Sequence, residues 1–213
     1  MHPGGKQVKK IAILGGTFNP VHNGHLKLAE NTWRQFSLDE FWFLPSPNPP
    51  HKQGRTITDF SHRFEMTKLA IRKYPSFVCS DFETRRTGKS YTSDTLTELK
   101  QLHPDTEFYF VMGADSFYEF GSWHEPGIIA GLAVLVVAER DYEKNHLSLN
   151  QQAEYLKEKY SARVRFIRAA EVDISSEQIR TWLENGKKNV GKYLPDGVLD
   201  YIRAHHLYEK NDQ

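Results

Sequence analysis

The sequence predicts a three-layer α/β sandwich, in which a mostly parallel sheet carries helices on both faces. Short apolar segments of strand length alternate along the chain with longer segments whose apolar residues recur at helical spacing. The segments richest in glycine, histidine and hydroxyl side chains directly follow an apolar segment or begin a helix, which is where open parallel sheets bind ligands. Because the chain has 213 residues and no internal repeat, we expect one domain over 1–213, with 1–7 a flexible N-terminal extension.

Six apolar segments predict the strands of this sheet. The segment 133–138 is the most continuous of them, and we expect it at the centre because a central parallel strand is covered on both faces. The predicted strands are 8–14, 40–45, 77–80, 107–112, 133–138 and 164–167.

Helical spacing and capping residues predict the helices. In the second helix, Ser61 is the expected N-cap, and the expected buried side consists of Phe64, Leu69, Ala70 and Ile71. The predicted helices are 25–36, 61–74, the segment that follows 91–93, 150–160, the part of 173–185 that follows its capping residues, and 195–205.

The composition narrows the classes of function. Lys+Arg 28 against Asp+Glu 27 leaves a net charge of +1, so there is no basic field for nucleic acid. Cys79 is the single cysteine, which excludes an intrachain disulfide or a cysteine-rich zinc site and favours a reducing compartment. No apolar run is long enough to span a bilayer. We therefore expect a cytoplasmic protein without nucleic-acid or membrane partners, and formation of a homo-oligomer stays open.

The segment 15–25, GGTFNPVHNGH, lies between the first predicted strand and the first predicted helix. Gly15 and Gly16 lack a Cβ, so the backbone can turn sharply and an anion can approach its N–H groups at the positive end of the helix. His22 and His25 are three residues apart across the helix start, so both rings can face one side. Two imidazoles beside a phosphate-binding turn predict chemistry on a phosphate.

Two common nucleotide motifs are excluded. The glycines of 15–25 do not have the GxGxxG spacing, and the segment lacks the lysine of a P-loop. A GKS string at 88–90 also fails as a P-loop, because Glu83 occupies the place of the earlier glycine. A glycine-rich turn alone can serve only to close the turn, but Thr17, Pro20 and the HxGH tetrad favour a functional site.

The segment 15–25 resembles the (T/S)xxH…HxGH signature of the nucleotidylyltransferase superfamily, in the form GGTFxPxHxGH typical of nicotinate mononucleotide adenylyltransferases. The resemblance extends over about 10–207. It implies a Rossmann-like fold and the transfer of AMP from ATP to nicotinate mononucleotide, which gives deamido-NAD and pyrophosphate in NAD biosynthesis. It also implies backbone contacts to ATP and substrate from Gly15, Gly16, Thr17 and Phe18.

A proline-rich loop, 46–58, follows the second predicted strand. Its prolines lack the backbone N–H groups needed for the hydrogen bonds of a helix or a sheet, so we expect the loop to project from the sheet as a semi-rigid flap. His51 and Lys52 are either ordinary basic loop residues or part of the ligand crevice, and their position after a strand favours the crevice. The string PPHK resembles the family segment that borders the nucleotide phosphates, which implies substrate contacts for both residues and an ATP contact for Lys52.

Two segments are candidates for binding the nicotinate group. Tyr91 and Thr92 begin a helix whose first N–H groups can receive a carboxylate, although a plain N-cap explains them equally well. Trp123 lies in a predicted loop where an indole can stack on a flat heterocycle, although aromatic clusters usually belong to the core. SYTxDTL resembles the family segment that holds the nicotinate carboxylate, and Trp123 matches the tryptophan that stacks on the pyridine ring in bacterial members.

Gly113 and Asp115 follow the fourth predicted strand. A glycine and a carboxylate at the carboxyl end of a strand suit a ribose hydroxyl or a metal-linked phosphate. Asp115 could equally cap the next helix. Both residues are candidates for binding ATP.

The segment 173–185 predicts a second anion site. Ser175 and Gln178 form a capping box, and Arg180 lies about one turn inside the helix, so hydroxyls, N–H groups and a guanidinium can meet the far end of a triphosphate. The string ISSxxIR resembles the family's second signature, ISS(T/S)xIR, with Glu177 in place of a small hydroxyl residue. The candidate ATP contacts in this segment are Ile174, Ser175, Ser176 and Arg180.

The expected chemistry needs no general base, because the attacking phosphate monoester is already anionic near neutral pH. Catalysis then depends on positioning the substrates and neutralising their charge. The candidate catalytic residues are His22, His25 and Arg180. The histidines would donate to the α-phosphate and bridging oxygens, while Arg180 and Lys52 would hold the β- and γ-phosphates. Mg²⁺ is expected as a phosphate-bound ion that keeps most of its waters, so no protein metal site is predicted.

Two alternatives stay open. Another nucleotidylyltransferase of the superfamily, of the pantetheine-phosphate or glycerol-phosphate type, would share the signature, and a non-catalytic nucleotide-binding regulator would keep the phosphate-binding turn. The PPHK and SYTxDTL strings and the aromatic segment 117–123 favour a flat acidic pyridine nucleotide. The intact HxGH tetrad and Arg180 favour catalysis.

Overall fold

The computed structural model describes residues 8–48, 57–86, 88–139, 148–168 and 174–209. The strands within these ranges are β1 (Lys9–Gly16), β2 (Glu40–Pro45), β3 (Phe77–Cys79), β4 (Thr106–Gly113), β5 (Ala133–Glu139) and β6 (Arg163–Arg168). They form one sheet in the order β3-β2-β1-β4-β5-β6, and all neighbouring pairs are parallel. The predicted Rossmann-like parallel sheet is confirmed.

The strand predicted to be central, β5, lies instead between β4 and the edge strand β6. Its residues 133–138 are all buried, so the interpretation of this segment as a strand covered on both faces was correct. The predicted position was wrong, because burial on both faces requires only that helices cover both faces, and an inner strand beside the edge also meets that condition. The centre of the sheet is formed by β1 and β4.

Helices cover both faces of the sheet. In the described ranges they are α1 (Asn23–Phe36), α2 (Phe60–Ile71), α3 (Thr92–Leu102), α4 (Ala114–Tyr118), α5 (Pro126–Leu132), α6 (Leu149–Tyr160), α7 (Ser176–Glu184) and α8 (Val198–Ala204). The short helix α5 was not predicted, and α4 was considered only as a helix that Asp115 could cap, because their glycine- and aromatic-rich segment is typical of a loop. None of the helices that the structure describes combines the length and the apolar character needed to cross a bilayer.

The alternating side chains of the strands divide the core into two apolar clusters, one on each face. In β1, Ala12 and Leu14 pack with α1, α2, α7 and α8, whereas Ile11 and Ile13 pack with α3 to α6. The three layers of the predicted sandwich follow from this alternation.

Helix α2 buries a different set of residues from the one predicted. Its N-cap is Asp59 and not Ser61, and Phe64 and Leu69 are only half-buried. The buried residues are Arg63, Met66, Thr67, Ala70 and Ile71, a set with regular helical spacing. The prediction was correct for Ala70 and Ile71, but it missed the rest of the stripe, which contains an arginine and a threonine that a hydrophobicity pattern places towards solvent.

The sheet order opens a crevice at its carboxyl edge. The chain leaves β1 towards α1 on one face, and it leaves the neighbouring strand β4 towards α4 on the other face. The segments that follow these two strands therefore diverge, which is the usual position of a ligand site in an open parallel sheet.

Candidate active site

The backbone after β1 turns at Phe18 and not at the two glycines. Gly15 and Gly16 are the last residues of β1, and Phe18 has a φ of 48°. This left-handed conformation costs a residue with a side chain about 1–2 kcal/mol. Glycine is still favoured at position 16, because a Cβ there would lie in tight contact, 3.1 Å, with the Phe18 ring. A Cβ at Gly15 would meet nothing within 4 Å.

His22 and His25 lie together at the start of α1, as their spacing predicted. His22 is the N-cap and His25 the third residue of the helix, and their rings stack with centroids 3.7 Å apart. The main-chain N–H of His22 donates a hydrogen bond of 3.2 Å to Nδ1 of His25. In a neutral His25, Nδ1 is therefore the acceptor and the ring proton resides on Nε2.

Gly24, the glycine of the HxGH tetrad, packs closely against the His22 ring. A Cβ at this position would lie 3.0 Å from Nδ1 and 3.1 Å from Cε1 of His22. The His22 ring is itself only 6% exposed, and the edge of the Phe18 ring contacts His25 at a centroid distance of 5.0 Å. The tetrad thus fixes both rings by close packing.

The predicted capping box at the start of α7 is confirmed. Oγ of Ser175 accepts a hydrogen bond from the N–H of Gln178, and the N–H of Ser175 donates to Oε1 of Gln178. Ile174 is 2% exposed, and its side chain belongs to the core. A contact from Ile174 to a nucleotide would therefore involve its main chain.

Two further residues of α7 bind the segment that leads from β1 to α1. Oγ of Ser176 donates to the carbonyl oxygen of Pro20 over 2.9 Å. Nη1 of Arg180 donates to the carbonyl oxygen of Asn19 over 2.7 Å. Both predicted ATP contacts are thus beside the His22–His25 pair, and each also holds the backbone that precedes it.

The end of β4 lies beside the end of β1. Ile13 of β1 pairs with Phe110 of β4. Gly16 lies three residues after Ile13 and Gly113 three residues after Phe110, so the two glycines end neighbouring strands. Gly113 is exposed, and a Cβ there would meet nothing within 4 Å. Asp115 is exposed in the first turn of α4, whose N-cap is Gly113, so Asp115 does not occupy the capping position.

The candidate nicotinate-binding residues lie at the start of α3 and before α5. Tyr91 is the N-cap of α3 and makes no side-chain capping hydrogen bond, and Thr92 is the first helical residue. The Tyr91 ring contacts the ring of the exposed His124, with centroids 4.3 Å apart. Trp123 is half-buried and packs against Phe120, so this indole is partly a core residue.

The flap residues His51 and Lys52 lie outside the described residues, and their roles stay predictions. The described end of their loop contacts the site, since the carbonyl oxygen of Thr58 accepts a 2.8 Å hydrogen bond from Nε of Arg63.

Arg63, Asn19 and Tyr208 were not predicted as site residues. Arg63 is 1% exposed, and its Nη1 donates to the carbonyl oxygen of Thr17 over 2.7 Å. The hydroxyl of Tyr208 donates to Oδ1 of Asn19, which is 3% exposed, over 2.7 Å. The spacing of Arg63 with Met66 on one helix face was a signal in the sequence that could have indicated a buried arginine.

Burial changes the ionisation of these groups. It lowers the pKa of the Arg63 guanidinium and raises the pKa of the Tyr208 hydroxyl to about 12. The positive charges of Arg180 and Arg63 act in the opposite direction on the pKa of Tyr208. Two guanidinium groups therefore lie close to the same turn, which suits an anionic ligand.

Comparisons with known proteins show which family this chain resembles. The family described as cytidylyltransferase-like matches residues 13–182. A relative from Lachnoclostridium phytofermentans, named probable nicotinate-nucleotide adenylyltransferase, is 41% identical over 94% of this chain and 100% of its own length. A relative of the same name from Carboxydothermus hydrogenoformans is 40% identical over 93% of this chain and 98% of its own.

Solved structures show a similar fold. The nicotinic acid mononucleotide adenylyltransferase of Plasmodium falciparum, complexed with NaAD, has a TM-score of 0.76 and 24% identity, and the match covers 94% of this chain and 97% of that one. The same enzyme complexed with APC has a TM-score of 0.75, with the same identity and coverage.

Proposed function

This chain belongs to the cytidylyltransferase-like family, as one of its nicotinate-nucleotide adenylyltransferases, and we propose that its crevice transfers the AMP of ATP to nicotinate mononucleotide. It is a nucleotidyltransferase of NAD biosynthesis, with ATP as co-substrate. The observation that carries the proposal is the stacked pair of His22 and His25 at the start of α1, on the carboxyl edge of the sheet. We expect deamido-NAD and pyrophosphate as products.

In the proposed reaction, a phosphate oxygen of nicotinate mononucleotide bonds to the α-phosphorus of ATP as the bond to pyrophosphate breaks. The attacking oxygen is already anionic, so no side chain has to remove a proton. Negative charge moves onto pyrophosphate, and a hydrogen-bond donor near the bridging oxygen stabilises that charge. His25, whose ring proton resides on Nε2, is assigned as this donor, with His22 beside it.

The N-terminal end of α7 is assigned to the β- and γ-phosphates. A guanidinium has five N–H donors, and Arg180 uses one of them on Asn19, so further donors of the same group can serve an anion. The backbone from Gly15 to Phe18, with Gly113 at the end of β4 and Asp115 in the first turn of α4, is assigned to the nucleotide. By resemblance, Lys52 adds positive charge from the flap.

The nicotinate group is assigned to the start of α3. The first N–H groups of this helix can receive a carboxylate, and Tyr91 makes no side-chain capping bond that would compete for them. Trp123 offers the part of its indole that does not pack against Phe120. This arrangement favours the acid over the amide, because an amide brings no negative charge to the N–H groups.

Mg²⁺ enters as part of the MgATP substrate. The described side chains beside the turn after β1 are imidazole, hydroxyl and guanidinium groups, which suit phosphate oxygens, whereas Mg²⁺ prefers oxygen ligands and keeps several waters. The phosphates therefore hold the ion, and Asp115 is the carboxylate that we assign to its water shell. When bound, the ion neutralises charge on the phosphates.

Pyrophosphate release from MgATP tests the substrate assignment. The full chain is assayed with nicotinate mononucleotide, its amide analogue and phosphopantetheine in parallel, and we expect a clear preference for the acid. Comparable rates with acid and amide would remove the carboxylate role of α3. A preference for phosphopantetheine, or no release with any of the three, would contradict the proposed substrate.

The His25→Ala variant tests the assigned donor. We expect turnover to fall about 100-fold or more with the fold intact, which is the scale of losing one transition-state donor. His103→Ala is the control, because this histidine lies at the C-terminal end of α3, before β4 begins. Near-normal turnover of His25→Ala would remove His25 from the mechanism.

A further inference from the structure

The turn formed by residues 17–20 is held by side chains from three distant parts of the chain. Arg63 in α2 donates to the carbonyl of Thr17, and Tyr208 near the C-terminus donates to the side chain of Asn19. Ser176 and Arg180 in α7 donate to the carbonyls of Pro20 and Asn19. We call this turn the nucleotide turn, and the buried Arg63 and the half-buried Tyr208 its anchors.

The nucleotide turn needs such support because of its backbone. Phe18 has a side chain in the left-handed region, a conformation that persists only where surrounding contacts hold it. Its ring is 3% exposed and contacts both His25 and Phe43. A shift of the turn would therefore move a ring that packs directly against His25.

Arg63 connects two segments that border the crevice. Nε donates to the carbonyl of Thr58, at the end of the flap loop, and Nη1 donates to the carbonyl of Thr17. Burying a guanidinium is unfavourable unless its N–H groups are bonded. Arg63 therefore contributes hydrogen bonds as well as packing, since an apolar side chain would leave the carbonyls of Thr58 and Thr17 without these donors.

Tyr208 adds a second anchor from the C-terminal segment. The Tyr208 hydroxyl donates to Oδ1 of Asn19, and the main-chain carbonyl oxygen of Asn19 accepts a hydrogen bond from Arg180. Asn19 is 3% exposed, so its amide oxygen depends on protein donors. The C-terminal segment thus takes part in the site although it follows the last helix in the sequence.

We propose that Arg63 and Tyr208 are positioning residues for adenylyl transfer, which act by fixing the nucleotide turn so that His22 and His25 keep their stacked geometry. The proposal rests on the proposed function, and it adds two residues that do not touch the reacting atoms. A shift of the nucleotide turn can reach the histidines directly, because the turn ends at Pro20 and His22 is two residues further along the chain. The N–H of His22 in turn donates to Nδ1 of His25, so a displaced turn changes the donor at the α-phosphate.

The experiment uses variants that each change the anchors with little loss of packing. Tyr208→Phe removes one hydroxyl, and Arg63→Lys keeps the charge but replaces the planar fork that bonds two carbonyls at once. Tyr109→Phe is the matched control, because its hydroxyl also donates to a side-chain oxygen, that of Glu107, in the first half of β4. Steady-state kinetics, thermal unfolding and long-range ¹H–¹⁵N spectra of the histidine rings are recorded for each full-length variant.

We expect Tyr208→Phe and Arg63→Lys to lower kcat about fivefold or more, on the scale of one hydrogen bond, while the KM for nicotinate mononucleotide changes less. The ring nitrogen resonances of His22 and His25 should shift in both variants and not in Tyr109→Phe. If Tyr208→Phe matches Tyr109→Phe in kcat and in the histidine spectra, the proposal is wrong. If the wild-type chain does not use nicotinate mononucleotide but the histidine resonances still shift, the substrate assignment fails and the positioning role stands.

Discussion

At Gly24, a substitution should lower turnover while leaving the free energy of unfolding nearly unchanged. A Cβ at this position would lie 3.0 Å from the His22 ring, so Gly24→Ala should push that ring off its partner. Alanine is favoured over glycine inside a helix by up to about 1 kcal/mol, so the free energy of unfolding should not fall by much. We expect turnover to fall about 10-fold or more, because small displacements of catalytic groups are costly.

Gly127→Ala is the control for this prediction. Gly127 is also the second residue of a helix, α5, but a Cβ there would meet Tyr160 at an ordinary 3.6 Å. Chemical denaturation and pyrophosphate release are measured on both variants. Normal turnover in Gly24→Ala would show that the His22 ring does not need its present position.

At the scale of elements, α7 combines structure and function in its first turn. Ser175→Ala removes a capping hydroxyl and should lower the free energy of unfolding by about 1 kcal/mol. Because Ser176 and Arg180 reach the nucleotide turn from the same helix end, we also expect a higher KM for ATP.

Helix α6 provides the comparison for that effect. Ser148 and Gln151 form the same capping box on the opposite face of the sheet. Ser148→Ala should therefore lose similar stability with an unchanged KM for ATP, and Ser175→Thr should restore both properties. An unchanged KM for ATP in Ser175→Ala would mean that the cap has no part in the site.

The sequence predicted the elements whose signal is local. The strands, the Ser175 capping box and the pairing of His22 with His25 each depend on residues a few positions apart, and each was confirmed. The place of β5 in the sheet and the inward side of α2 depend on which elements pack together, and the first was predicted wrongly and the second only in part. The helical spacing of Arg63 with Met66 could have indicated its burial, but not its role, since its partners are main-chain carbonyls that a sequence pattern does not display.

At the scale of the whole molecule, both faces of the sheet contribute to one crevice. The face of α1, α2, α7 and α8 provides the histidines, Arg180 and the anchors of the nucleotide turn. The other face provides α3 and α4, with the groups that we assign to nicotinate and to the ATP-bound ion. Substrate binding should therefore stabilise the packing of both faces together, and a probe in the core of either face should detect it.

Cys79, the single cysteine of the chain, is half-buried against the core on the face of α1, α2, α7 and α8 and can serve as such a probe. It lies in the edge strand β3 against α2, and burial raises the pKa of its thiol to about 12. At pH 8 only about one thiol in ten thousand would then be ionised, and the thiolate is the reactive form. We expect slow reaction of the native chain with a thiol reagent, and rapid reaction after denaturation. MgATP with nicotinate mononucleotide should slow the native reaction further, because ligands that bind the folded state suppress its opening. A native rate equal to that of an exposed thiol, with or without ligands, would show that β3 opens independently of the sheet.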